Sequence, residues 1–261
     1  MHYLPILSTI ITFIFTAAVF NRFRVKHGLH LLFWSIGLLL YGIGTLTEVI
    51  MLFTYNELAL KLWYLSGAML TAAWLGQGTI NLLVHRREFP SYPFPYLMLI
   101  LKMFNLLVRR RGVASTLNIM LIIVSLLALV LVLLAPVTPA AANYNPAHPL
   151  SAQYKDILTR SGIVVLLTIL LNIYGTLTLV GGAIYSAYIF WRKKVLFNRM
   201  VGNILIAAGA LMPAIGGSFL KMGLPDFLYL SEFLGVILMY IGFLQATATV
   251  PVKSTSTAPT A

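Results

Sequence analysis

Seven apolar runs of about 20 residues each constrain this chain more than any other feature. About 20 helical residues, rising 1.5 Å apiece, are what it takes to cross the roughly 30 Å of a bilayer's hydrocarbon core. The runs fall at about Leu4 to Phe20, Leu29 to Phe53, Leu58 to Leu83, Val113 to Val137, Ile163 to Trp191, Val201 to Leu220 and Phe227 to Ala248. Composition agrees: 60% of the 261 residues are hydrophobic and 9% charged, with mean hydropathy +0.92, whereas a soluble domain carries about 25% charged residues. The sequence therefore predicts an all-α polytopic membrane protein, a seven-transmembrane-helix bundle over residues 1 to 248. Residues 249 to 261, rich in Thr, Ser and Pro, read as a disordered cytoplasmic tail.

Charge gives the orientation. Arg22, Arg24 and Lys26 follow run one; Arg86, Arg87, Lys102 and Arg109 to Arg111 follow run three; Arg192 to Lys194 and Arg199 follow run five; Lys253 is in the tail. These are 14 of the 18 basic residues, and only Lys61, Lys155, Arg160 and Lys221 fall on the other side. The positive-inside rule then puts the N-terminus outside and the C-terminus inside. With run one lacking a basic stretch ahead of it, a cleaved signal peptide is not expected. The net charge of +12 reflects scarce acids and basic residues beside spans, so no nucleic-acid partner is expected.

The stretch PFPYLMLILKMFNLLVRRR, residues 93 to 111, is apolar but too short for a further span, and Lys102 and Asn105 interrupt it. An interfacial helix over about 94 to 108 suits it, with Arg109, Arg110 and Arg111 meeting anionic lipid headgroups; an inward extension of span four is the alternative. Arg192, Lys193 and Lys194 form a second basic cluster at the membrane surface. The external loop from Thr138, rich in Ala, Pro and Asn, reads as a cap or a flexible connection. A faint echo links WYLSGAML at the start of span three with LYLSEFLG at the start of span seven. It would suit two parallel three-helix repeats joined by span four.

An ionised side chain at a helix centre costs roughly 2.5–3.5 kcal/mol on insertion scales, so intramembrane acids call for a reason. Two lie well inside spans: Glu48, about 9 Å outward from the middle of span two, and Glu232, about 7 or 8 Å outward in span seven. Tyr41, Thr45 and Glu48 form one helical stripe. On span three Ser66, Ala73, Gln77 and Asn81 align, with Trp74 beside them, and on span five Thr168, Asn172, Gly175 and Thr176 do so. These stripes predict a pocket toward the outer leaflet, lined by Glu48, Glu232, Tyr41, Thr45, Gln77 and Trp74, with Lys61 or Lys221 as a possible nearby cation. The structural alternative is helix-to-helix hydrogen bonding. Pro213 breaks the hydrogen-bond ladder of span six and is a candidate hinge.

Catalytic chemistry is not expected. No cysteine is present, and the five histidines, His2, His27, His30, His85 and His148, lie outside the span interiors. His30 and His85, near the inner face beside arginines, read as solvated imidazoles and not as haem or metal ligands. Span seven has no lysine for a retinal Schiff base. No metal and no cofactor is expected.

Residues 42 to 83, GIGTLTEVIMLFTYNELALKLWYLSGAMLTAAWLGQGTINLL, carry an acid late in span two, a short external turn, a Trp-Tyr-Leu opening to span three and a later Trp-Leu. In these features the segment resembles the N-terminal seven-transmembrane region of bacterial sensor histidine kinases. Ala72 and Ala73 stand where such regions often carry proline, and no kinase domain is expected after span seven. The resemblance implies a bacterial plasma membrane, a sensory role for Glu48, Trp63 and Trp74, and signalling through a separate protein partner. The leading expectation is a non-enzymatic sensor or receptor-like protein that holds a small or lipophilic ligand. A small secondary transporter and a non-catalytic accessory subunit are the alternatives.

Overall fold

Local signals in the sequence punctuate the helices of the computed structural model, which describes residues 3–84, 111–192, 197–224 and 226–247. Helix α1, Leu4–Lys26, carries Pro5 in its first turn, where a missing amide breaks no intrahelical bond. It ends as His27 turns to a left-handed φ of 50° with its amide on the Phe23 carbonyl. Gly28, extended, starts α2, Leu29–Phe53. Asn56 then caps the next helix, its side chain accepting the Ala59 amide at 2.9 Å.

Helix α3, Glu57–Val84, is not α-helical throughout. Its stretch Tyr64–Leu70 widens into a π-helix, so that the Thr71 amide reaches back five residues to the Ser66 carbonyl. The later elements are α4 (Arg111–Leu133), the short α5 (Leu150–Ile157), α6 (Gly162–Arg192), α7 (Phe197–Lys221) and α8 (Asp226–Thr247). All but α5 are long and apolar enough to cross a membrane, which makes seven candidate spans. The described residues form no strand, only one antiparallel bridge between Val137 and Leu158.

Two boundaries differ from the apolar runs. Helix α1 continues six residues beyond Phe20, since backbone hydrogen bonding does not stop where apolarity does. Helix α4 stops at Leu133, short of Val137, because the chain turns at Pro136 into the bridge with Leu158. Residues 94 to 108, Arg109, Arg110, Lys193, Lys194 and the tail 249 to 261 lie outside the described residues. Arg111 and Arg192 sit at helix ends, and their side chains are not described.

Six spans close into a ring. Helix α1 packs on α2, α2 on α3, α3 on α6, α6 on α7, α7 on α8, and α8 back on α1. Helix α4 stays outside, against α3 and α6, and turns Ile119, Ile123, Leu126 and Val130 outward as a lipid-facing stripe. Spans one to three and five to seven are thus two consecutive trios, with span four peripheral. Tyr64 and Tyr229, which carry the sequence echo, fall on helices at opposite positions of the ring.

Small residues set how closely the ring closes. On α7 and α8, Gly202 faces the Gly242 carbonyl and Gly209 faces the Gly235 carbonyl, one heptad apart on both helices. A Cβ at Gly209 would lie 2.6 Å from the Gly235 oxygen, so no other residue permits this approach. Pro213 deprives the Gly209 carbonyl of its usual amide four residues on, and that carbonyl is directed at Gly235, 2.9 Å from where a Cβ would stand. Gly175 of α6 lies similarly against Ala72 of α3.

The external connection folds into a cap. Tyr144 donates to the Met51 carbonyl at 2.9 Å, and Tyr154 of α5 packs its ring 5.1 Å from Trp63 and 5.8 Å from Tyr64. The Arg160 guanidinium lies 5.0 Å over the Tyr154 ring. Of the two readings open for this loop, the cap is the one found.

Candidate functional site

Inside the ring, beneath the cap, lies a cavity of about 390 Å³. Helix α2 brings Tyr41, Thr45 and Glu48 to its wall because these residues repeat at helical spacing on the ring-facing side. Helix α3 contributes Trp63 and the π-helical Gly67 and Ala68; α6 adds Asn172 and Thr176; α7 adds Pro213; and α8 adds Glu232. Ser151, Tyr154 and Lys155 of α5 bound the outer end, and Leu75, Leu179 and Met239 the inner one.

The acids define its chemistry. Glu48 is 3% exposed. Its Oε1 accepts the indole N–H of Trp63 at 2.8 Å, while Oε2 has no donor. The Glu232 carboxyl lies within hydrogen-bonding reach of Glu48, so either a shared proton or an outside donor satisfies the free oxygen. Tyr41 ties the two helices together there, donating to the Glu232 backbone carbonyl at 3.0 Å. Ser151 presents a second buried oxygen without a partner, Oγ, to the same cavity. A buried acceptor without a donor costs about 1–3 kcal/mol, and more when charged.

Among the described residues no ion pair to Glu48 or Glu232 is found, and the Lys221 side chain is not described. Lys61 instead bonds Glu57 at 2.6 Å and the Leu133 carbonyl at 3.0 Å. Lys155 stands at the mouth, exposed, and makes no ion pair with either acid. In the cap, burial and then the neighbouring Glu48 carboxylate push the Tyr144 phenol up to about 12. Its hydroxyl therefore keeps its proton at neutral pH and holds the bond to Met51.

Tyr41, Thr45, Glu48 and Glu232 come together as the sequence pattern places them. Gln77 and Trp74 do not, and their assignment to the pocket is corrected. Gln77 is fully buried between helices: it donates to Asn118 Oδ1 at 2.5 Å and to the Ala114 carbonyl at 3.3 Å, and accepts from Tyr174. Trp74 donates to Ser125 at 3.1 Å and stacks on Phe33 at 5.1 Å. Both residues reach α4, because the extra residue of the π-helical turn shifts the register of α3, so that Thr71, Ala72 and Leu75 face the cavity in place of Trp74 and Gln77.

The stripe on α6 also divides. Thr168 bonds the Tyr64 hydroxyl at 2.9 Å, Asn172 donates to the Ala68 carbonyl at 2.8 Å at the cavity wall, and Gly175 serves packing. Ser151, Tyr154 and Lys155 were not among the sequence candidates, since nothing in a loop's composition shows which span it covers.

Comparison with protein-family models, curated proteins and solved structures yields no match to this chain.

Proposed function

We propose that this polytopic membrane protein is a non-enzymatic sensor or receptor whose outer cavity binds a small amphiphile. The ligand has a cationic or hydrogen-bond-donating head between Glu48 and Glu232 and an apolar body toward Leu75, Leu179 and Met239. One observation carries the reading: two buried oxygens without donors, Glu48 Oε2 and Ser151 Oγ, face one cavity of about 390 Å³. The resemblance of residues 42 to 83 to the membrane region of sensor kinases supports it. Thermal-shift screening of the purified protein against hydrophobic amines and matched neutral isosteres tests it. Amines raise the melting temperature of the wild type and not of Glu48→Gln; no shift with any amine, or equal shifts in both proteins, removes the reading.

A secondary transporter is the second reading, and a specific arrangement favours it. Below the outer cavity lies a small apolar one of about 40 Å³ that shares Leu75, Leu179 and Met239 with it. That cavity in turn shares Trp34, Ile206 and Phe243 with an inner cavity, so the three lie in line. Flux of an amine into proteoliposomes, absent in Glu48→Gln, separates this reading from a receptor that binds without transport.

A further inference from the structure

Resting on the reading of the outer cavity as an amine site, we infer that its ligand is zwitterionic: an apolar α-amino acid whose carboxylate is taken by the cap. Glu48 and Glu232 form one charged side of the cavity, and α5 forms the other. Ser151 and Lys155 lie four residues apart on α5, so one helical face carries both, and both line the cavity. The Ser151 Oγ is buried without a partner, and Lys155, exposed at the mouth, pairs with neither acid. Trp63 stands between the two sides. Its indole N–H donates to Glu48 Oε1 at 2.8 Å, and its ring lies 5.1 Å from that of Tyr154, the residue before Lys155 on α5. The acid on α2 and the cap helix are thus held one indole apart, a span that one small molecule bridges.

A simple hydrophobic amine satisfies Glu48 Oε2 and leaves the Ser151 hydroxyl and the Lys155 ammonium without a partner. A carboxylic acid by itself meets Lys155 but brings a further negative charge into a cavity that already holds two carboxyl groups. A zwitterion answers both sides. Its ammonium donates to Glu48 Oε2 and to Glu232, its carboxylate accepts from the Ser151 hydroxyl and from Lys155, and the opposite charges of the two walls fix its direction. The third arm is apolar, since Leu75, Leu179 and Met239 close the inner end. A phosphoethanolamine headgroup carries the same pair of charges, but the volume favours the smaller molecule. At about 390 Å³ the cavity is near the low end of the roughly 300–1,000 Å³ of small-molecule sites, which suits one amino acid with a large side chain and leaves no room for acyl chains.

Isothermal titration of the full chain in detergent tests the assignment with L-phenylalanine, phenethylamine and hydrocinnamate, which share one side chain and differ in their charged groups. Phenylalanine is expected to bind roughly tenfold more tightly than phenethylamine, the gain from hydrogen bonds to a charged carboxylate, and hydrocinnamate not measurably. Ser151→Ala and Lys155→Gln each weaken phenylalanine roughly threefold and leave phenethylamine unchanged, whereas Glu48→Gln loses both. Lys155→Gln changes an exposed side chain and serves if Ser151→Ala fails to fold. Phenethylamine binding as tightly as phenylalanine, or phenylalanine binding unaltered in both cap variants, overturns the zwitterion while the amine site stands. Lysophosphatidylethanolamine that displaces phenylalanine at equal concentration overturns the amino acid in favour of a lipid headgroup. If neither phenylalanine nor phenethylamine binds, the amine reading and this inference fall together.

Discussion

At the scale of single residues, the Glu48 carboxylate sets the chemistry of the outer cavity, and Trp63 sets its geometry. The indole N–H meets Oε1 at 2.8 Å and leaves Oε2 to the cavity. Trp63→Phe removes that donor and leaves Oε1 without it. We expect a loss of about 1.5–3 kcal/mol, the range for hydrogen bonds to charged groups, read by reversible denaturation in mixed micelles. Glu48→Gln keeps an acceptor for Trp63 and removes the charge, so its melting temperature stays near the wild-type value while amine-dependent stabilisation disappears. Gln77 and Trp74 make the opposite case. Their polarity was visible in the sequence, but which neighbour it served was not, because a helical stripe shows a direction only when the helix is regular. The π-helical turn at Tyr64–Leu70 breaks that regularity, and no residue in the stretch YLSGAML announces it.

At the scale of elements, two kinds of contact hold the spans, and they respond differently to mutation. The α7–α8 seam depends on backbones meeting at Gly202/Gly242 and Gly209/Gly235. Gly209→Leu forces these helices apart, so its melting temperature falls well below that of Gly209→Ala, whose single methyl already meets the Gly235 carbonyl. Differential scanning fluorimetry of both variants measures the order. Between α3 and α4 the contact is polar instead: Gln77, Asn81 and Asn118 share hydrogen bonds. Interhelical bonds in membranes average about 0.6 kcal/mol and reach about 1.7. A double-mutant cycle on Gln77→Ala and Asn118→Ala should return a coupling in that range with no effect on amine binding. Glycine enrichment in span six was evident from its letters; the pairing partners on span seven required the antiparallel register.

At the scale of the whole molecule, a closed ring of six helices with a seventh outside encloses three cavities in line. The orientation inferred from the basic loops makes the acidic cavity external and the basic one internal. The absence of cysteine makes this simple to check. Asn145→Cys in the cap should react with an impermeant maleimide on intact cells, whereas Asn198→Cys, exposed at the start of α7, should react only after permeabilisation.

The span number and helix type followed from the sequence alone, because a backbone without water must bond to itself over the bilayer's thickness. So did the matched depths of Glu48 and Glu232, which are set by distances along one chain. Tertiary structure alone decided that these two acids meet, that Gln77 and Trp74 turn to α4 and that the external loop caps the ring. Those outcomes depend on how rotated helices pack against one another, and rotation is settled by contacts between residues far apart in the chain.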